Sequence, residues 1–206
     1  MKTLKLACPV ALLLVLALAA SAQAAVNRSF QHDLNRVNGH LRIAIEYAPL
    51  ELGESLRAAE VVCGLGEAAL AKGDAEHAAG DWTTLDQLVG EAARRQARRI
   101  EVAFANADTV VRDLRRRYER RWATIADRLR ELRRGVEETR RGIVVMREAV
   151  AALAGPFASW QAHECEAAGR GREEAFGQIG SGLQRINVGM LRLWRLSRPG
   201  SDDPGV

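Results

Sequence analysis

The chain has 206 residues, 30 Lys or Arg against 26 Asp or Glu, 48% hydrophobic residues and only 5% aromatics. Five prolines in a chain rich in Ala, Leu, Arg and Glu point to long helices, and strand-like alternation is nowhere evident. Arg115-Arg116-Arg117, Arg120-Arg121 and Arg133-Arg134 surround their helix instead of forming one phosphate-tracking stripe, which argues against a nucleic-acid partner.

Residues 1–24 read as a secretory signal. Lys2 and Lys5 form a positive start, Val10 to Ala20 is an unbroken apolar run, and Ala22-Gln23-Ala24 supplies small residues for cleavage before Ala25. The run is too short to anchor a processed protein, so no integral membrane segment is expected afterwards. Cys8 precedes the apolar run, so no lipobox ends it. The expected location is the periplasm or the medium. Residues 25–196 are expected to form one helical bundle domain, and 197–206 a disordered Pro/Gly tail.

Loss of Cys8 leaves Cys63 and Cys165, and an even pair in an oxidising compartment predicts a disulfide. Charge is uneven. Between Arg94 and Arg147 lie 17 Arg against 8 Asp or Glu, so the basic middle should meet acidic helices of the same chain or of another subunit.

Helical periodicity recurs four times. Phe30, Leu34, Val37, Leu41, Ala44 and Ala48 share one stripe, which Pro49 ends. Leu52, Leu56, Ala59, Cys63, Gly66 and Leu70 form a second, closed by a turn at Lys72-Gly73-Asp74. From an N-cap at Asp81, no proline interrupts Trp82 to Ala154, which predicts one long central helix of 73 residues with any kink near Gly135 or Gly142. Its seam runs through Ile100, Ala103, Ala107, Val111, Leu114 and Tyr118. After a stutter it continues in heptads through Trp122, Ile125, Leu129, Leu132, Val136, Thr139, Ile143, Met146, Val150, Leu153 and Phe157. Arg121 and Arg128 at g and Arg133, Arg140 and Arg147 at e flank this seam and call for acidic partners. Gly155-Pro156 reads as a stop and restart, and Gly169 and Gly171 as a break. A last stripe holds Phe176, Ile179, Leu183, Ile186, Met190 and Leu193, with Gly180, Gly182 and Gly189 allowing close approach of a neighbour. The fold class expected is therefore all-α, an elongated antiparallel helical bundle or coiled coil.

Catalytic constellations are not found in the sequence. No G-x-S-x-G or complete phosphate loop occurs, and His32, His40, His77 and His163 are scattered. His163-Glu164-Cys165-Glu166 is the densest group of ligand types, but consecutive helical residues fan out by about 100° and do not converge on one metal. No enzyme activity, cofactor or metal is expected.

Tyr47-Ala48-Pro49 with Glu51-Leu52, followed by Ala68-Ala69-Leu70-Ala71-Lys72-Gly73-Asp74, resembles an uncharacterised family of Ala-rich exported helical segments. That family is often attached to OmpA-like envelope proteins. The resemblance spans about residues 43–99 and implies a helical hairpin without implying an activity. The chain has neither a lipobox nor an OmpA-like domain.

The function expected is a non-catalytic exported coiled-coil protein that scaffolds or binds another envelope protein, or itself, with no nucleic acid. A monomer is expected ahead of an antiparallel dimer. A periplasmic holdase of the Skp type is the alternative on fold and charge alone, followed by a haem- or metal-binding bundle using Met146, Met190 and the histidines.

Overall fold

The computed structural model describes residues 7–46 and 52–198, with side chains from Ala24 onward. It is all-helical: α1 (Ala7–Glu46), α2 (Gly53–Ala71), α3 (Ala75–Leu88), α4 (Glu91–Arg121), α5 (Ala126–Ala152), α6 (Ala154–Gln161) and α7 (Cys165–Ser197). No strand occurs among the described residues. Ala48, Pro49 and the tail from residue 199 lie outside them, whereas Ser197 is the buried last residue of α7.

The 73-residue spine is instead three helices. Asp74, not Asp81, is the cap. Its carboxylate accepts the His77 N–H at 3.0 Å and starts α3, leaving Asp81 inside that helix. A first break follows at Val89-Gly90, where the extended Gly90 begins α4. A second falls at Trp122–Ile125, immediately after the stutter in the heptads. The physical reason is that each half carries its own apolar stripe, and folding α5 back on α4 buries both. Gly135 and Gly142 lie within an unbroken α5, and Gly169 and Gly171 within an unbroken α7. The turn before α7 is at His163, with φ 60°, and Glu164. The restart expected around Gly155-Pro156 is present, one turn residue (Leu153) separating α5 from α6.

Cross-links fix the directions. Asp33 meets Arg117, Asp108 meets Arg140 and Glu131 meets Arg192, so α1, α4, α5 and α7 form successive antiparallel pairs. Helix α2 runs antiparallel to the first half of α7 through Cys63–Cys165 and Glu60–Arg172. The α2–α3 turn is as expected: Gly73 takes φ 77° and Asp74 N–H returns to Ala69 O at 3.0 Å.

Stripe positions supply one continuous core. Phe30, Leu34, Val37, Leu41 and Ala44 are buried, as are Leu52, Leu56, Ala59 and Cys63. Leu70 is exposed, and its neighbour Ala69 faces inward instead. Of the heptad positions, Trp122, Leu132, Val136, Thr139, Ile143, Met146, Val150, Leu153 and Phe157 are buried, while Ile125 and Leu129 are half-buried. By length and composition alone, Ala126–Gln161 is apolar enough to cross a membrane. Its apolar side is this seam, buried within the bundle.

The two flanks of the α5 seam differ sharply. Positions g continue as Gly135, Gly142 and Ala149, and all three are buried. Gly182 and Gly189 repeat the spacing of seven on α7, and the antiparallel register sets Gly135 beside Gly189 and Gly142 beside Gly182. A Cβ on Gly142 would stand 2.6 Å from Gly182 O, and one on Gly189 2.5 Å from Thr139 N. These are backbone atoms, so no rotamer change relieves the clash. Thr139 closes the seam polar-side inward, its hydroxyl donating to Gly135 O at 2.8 Å. Gly177 and Gly180, also on α7, have nothing within 4 Å of a built Cβ.

Gly142→Ala or Gly189→Ala should therefore destabilise the fold by roughly 1–3 kcal/mol, because overpacking outweighs the gain in helix propensity. Gly177→Ala should stabilise by up to about 1 kcal/mol. Denaturant midpoints of the three variants test the contrast. Cys63 and Cys165 lie at disulfide geometry, Cα–Cα 5.6 Å, across a separation of 102 residues. Replacing both by Ser should cost about 5 kcal/mol on the chain-entropy model, read as a lower midpoint in the same assay.

Candidate functional surface on helix α4

Arginines decide what the surface can do, and the structure sorts them into matched and unmatched groups. All three at e positions of α5 turn to α4: Arg133 to Glu119 at 2.8 Å, Arg140 to Asp108 at 2.7 Å and Arg147 to Glu101 at 3.5 Å. Their acids lie on α4, inside the basic middle itself, which sequence reading had treated as needing carboxylates from elsewhere. The g-position pair faces α1. Arg128 is buried, donates to Asn27 Oδ1 at 2.8 Å and lies 5.5 Å from the Trp122 ring centroid. Arg121 donates to Ser29 Oγ at 3.4 Å and sits over Tyr118.

The start of α1 is thus stitched to the α4–α5 turn. Phe30 packs edge-on against Tyr118 and tilted against Trp122, both at 4.8 Å between centroids. Tyr118 Oη is hydrogen-bonded to Ser29 Oγ at 3.0 Å and Asp33 Oδ2 at 2.9 Å. Burial pushes its phenol above the usual 10.0, and donation to Asp33 adds to that. Asp33 Oδ2 also accepts from Arg117 Nη1 at 2.7 Å.

Glu119 collects two arginines. Burial alone would raise its carboxyl, but hydrogen bonds from Arg133 and Arg115 outweigh that and hold it below the usual 4.5. No group of three or more His, Cys, Asp or Glu able to hold a metal occurs among the described residues. His163 stacks on Trp82 with centroids 4.2 Å apart, and its neighbour Cys165 is taken by the bridge. Met146 and Met190 are core residues. His32 and His77 are exposed and His40 half-buried, on α1 and α3.

Arginines without a carboxylate partner among the described residues occur on several helices, Arg28 and Arg36 on α1, Arg57 on α2 and Arg195 on α7 among them, and five lie on α4. Arg94, Arg98 and Arg99 in its first half, and Arg116 and Arg120 further on, make no ion pair among the described residues. Val102 is 59% exposed in the same helix. Arg94 and Arg98 border a trough of about 400 Å³ between α4 and the α5–α6 corner, floored by Ala97, Val150 and Phe157. Glu101 lies in the same trough but is paired with Arg147. Sequence reading placed Arg94, Arg98 and Arg99 in the basic middle without separating them from the matched set. Local spacing did not give the answer either, since Glu91 lies three positions before Arg94 and Glu101 three after Arg98, and of the three only Arg99 lacks an acid at that distance.

With Glu119 depressed, its pairing stabilises the fold above the unfolded value near 4.5 and is lost as pH falls through the lower folded value. Glu119→Gln should lower stability at neutral pH by less than about 1 kcal/mol, since the arginines are partly exposed. The gap from the parent should close in acid, measured by denaturant titration at several pH values. Comparison with known proteins gives no match to a family model, a curated protein or a solved structure.

Proposed function

We propose that the protein is an exported, non-catalytic helical bundle that acts in the cell envelope as a scaffold or protein-binding module, with the outer side of α4 as its contact surface. One observation carries this reading: the e-position arginines of α5 are matched within the chain, whereas five arginines on the single helix α4 (Arg94, Arg98, Arg99, Arg116 and Arg120) have no acid among the described residues. Unmatched guanidiniums beside an exposed aliphatic such as Val102 suit an acidic protein surface. Export is supported by the leader pattern of residues 1–24 and by the Cys63–Cys165 pair at bonding distance. Chain-internal burial of the heptad positions supports a monomer, with α4, α5 and α7 as an antiparallel coiled-coil layer.

Intact mass of the exported protein should begin at Ala25, and light scattering with a non-reducing gel should give a bridged monomer. A photo-crosslinking residue at Val102 or Arg116 should trap one discrete envelope protein in intact cells, and the same residue at Glu173 on α7 should not. Equal trapping at all three positions, or none, would defeat the α4 surface. Suppression of aggregation of many unfolded outer-membrane proteins would instead place the protein with holdases.

A further inference from the structure

Helix α2 has two apolar faces, and the bundle uses one of them. Leu56, Ala59, Cys63 and Gly66 are buried on the side that meets α3 and α7. The opposite side carries Ala58, Val61, Leu65 and Ala68, all exposed, Val61 at 63% and Leu65 at 52%. Glu54 and Lys72, also exposed, extend this outer stripe to the two ends of the helix. From Glu54 to Lys72 the steps alternate between four and three, the spacing of a coiled-coil seam. Neither Glu54 nor Lys72 makes an ion pair among the described residues.

The stripe is complementary to itself. A two-fold axis at the level of Cys63, midway between Glu54 and Lys72, sets a second copy of α2 antiparallel to the first. Val61 of one copy then meets Leu65 of the other, Ala58 meets Ala68, and Glu54 meets Lys72. Parallel pairing would set Glu54 on Glu54 and Lys72 on Lys72, so charge selects the antiparallel direction. At the axis, Gly64 on one flank and the half-buried Val62 on the other each face their own copy, and neither carries a charge. Gly64 has nothing of its own chain within 4 Å of a built Cβ, which leaves room for close approach.

Charge also argues against a membrane as the occupant. Helices that lie on anionic membranes border their apolar face with Lys and Arg. In α2 and its cap, Glu54, Glu60 and Glu67 outnumber Arg57 and Lys72.

We infer that the outer face of α2 is a self-association surface that pairs two copies of this chain antiparallel, Val61 against Leu65 and Glu54 against Lys72. The contact is about 27 Å long and about 10 Å wide, roughly 300 Å² on each copy. Stable complexes bury about 800 Å² per partner, so this pairing is weak. Dilute protein is the monomer proposed above, and the dimer belongs to high local concentration. Helix α4 packs mainly on α1 and α5, so the pairing leaves both α4 surfaces free and does not rest on them.

The test is sedimentation equilibrium of the oxidised protein, with carbodiimide crosslinking at the highest concentration. Association should appear between about 0.1 and 1 mM. Lys72 is the only lysine after Lys5, which makes the crosslink diagnostic. A carbodiimide joins a carboxylate to an amine only in direct contact. Within one chain Glu54 and Lys72 stand about 27 Å apart, so an amide between them has to join two copies. Glu54→Lys should remove that amide and weaken association about tenfold, and adding Lys72→Glu to it should restore both. Leu65→Glu, at an exposed position that the symmetry counts twice, should weaken association at least tenfold with circular dichroism unchanged. Protein still monomeric at about 1 mM, a dimer without the amide, no recovery on charge exchange, or association that survives Leu65→Glu would each overturn the pairing. An envelope protein joined to Lys72 in intact cells, with the purified chain monomeric, would overturn it in favour of a foreign partner.

Discussion

Close contact between α5 and α7 is the constraint on which the rest of the bundle rests. Two glycines seven residues apart on each helix face each other in antiparallel register, so the backbones approach until Cα–H and carbonyl groups touch. Close-packed contact gains dispersion energy along the whole interface, and it fixes both the spacing and the vertical register of the pair. Once α7 is set, the remaining core positions of α5 can be covered from the other flank. There arginines at the e positions reach the carboxylates of α4. The helix thus has one flank with almost no side chain and one flank with the longest, and each demands a different neighbour.

The peripheral helices are held by more specific devices. Helix α1 is joined to α4 and α5 by an aromatic trio and a short polar ladder, Asn27, Ser29 and Asp33, which answers three arginines and a tyrosine. The bridge at Cys63 ties α2 to α7, and the α2–α3 hairpin closes at Gly66, against which the Trp82 ring packs. A Cβ at Gly66 would lie 2.7 Å from that ring, so any larger residue there would push Trp82 aside. Trp82 in turn carries His163 stacked on its ring, linking the hairpin to the corner before α7.

Much of this was legible in the sequence, and the misses share one cause. Apolar stripes located the buried faces of α1, α2, α5 and α7, and cysteine parity located the bridge, because periodicity and pairing are local or countable signals. The interruption at Trp122–Ile125 was hidden, because no proline or glycine marks it. The chain turns there since Tyr118 and Trp122 find Phe30, a residue 88 positions before Tyr118. In an isolated helix Gly135 and Gly142 are weak points, which is why the sequence alone predicts a kink there. Their spacing of seven, repeated at Gly182 and Gly189, was the overlooked sign that the two helices touch. For the candidate surface, residue type was visible but pairing was not. Whether an arginine is matched depends on which helix lies beside it, and only the antiparallel order of α4 and α5 decides that.

The nesting of contacts has a kinetic meaning. The matched glycines of α5 and α7 are separated by as few as 40 positions, the two cysteines by 102, and Ser29 meets Tyr118 across 89. Loop-closure entropy rises with that separation, so the α5–α7 pair is the least costly nonlocal contact among these, and it lies wholly in the C-terminal half. Helix α2 meets its hairpin partner α3 at once, whereas α1 has none until α4 has been made. A chain made or delivered from its N-terminus therefore presents the apolar stripe of α1 bare until α4 emerges, while α2 is already covered on one side by α3.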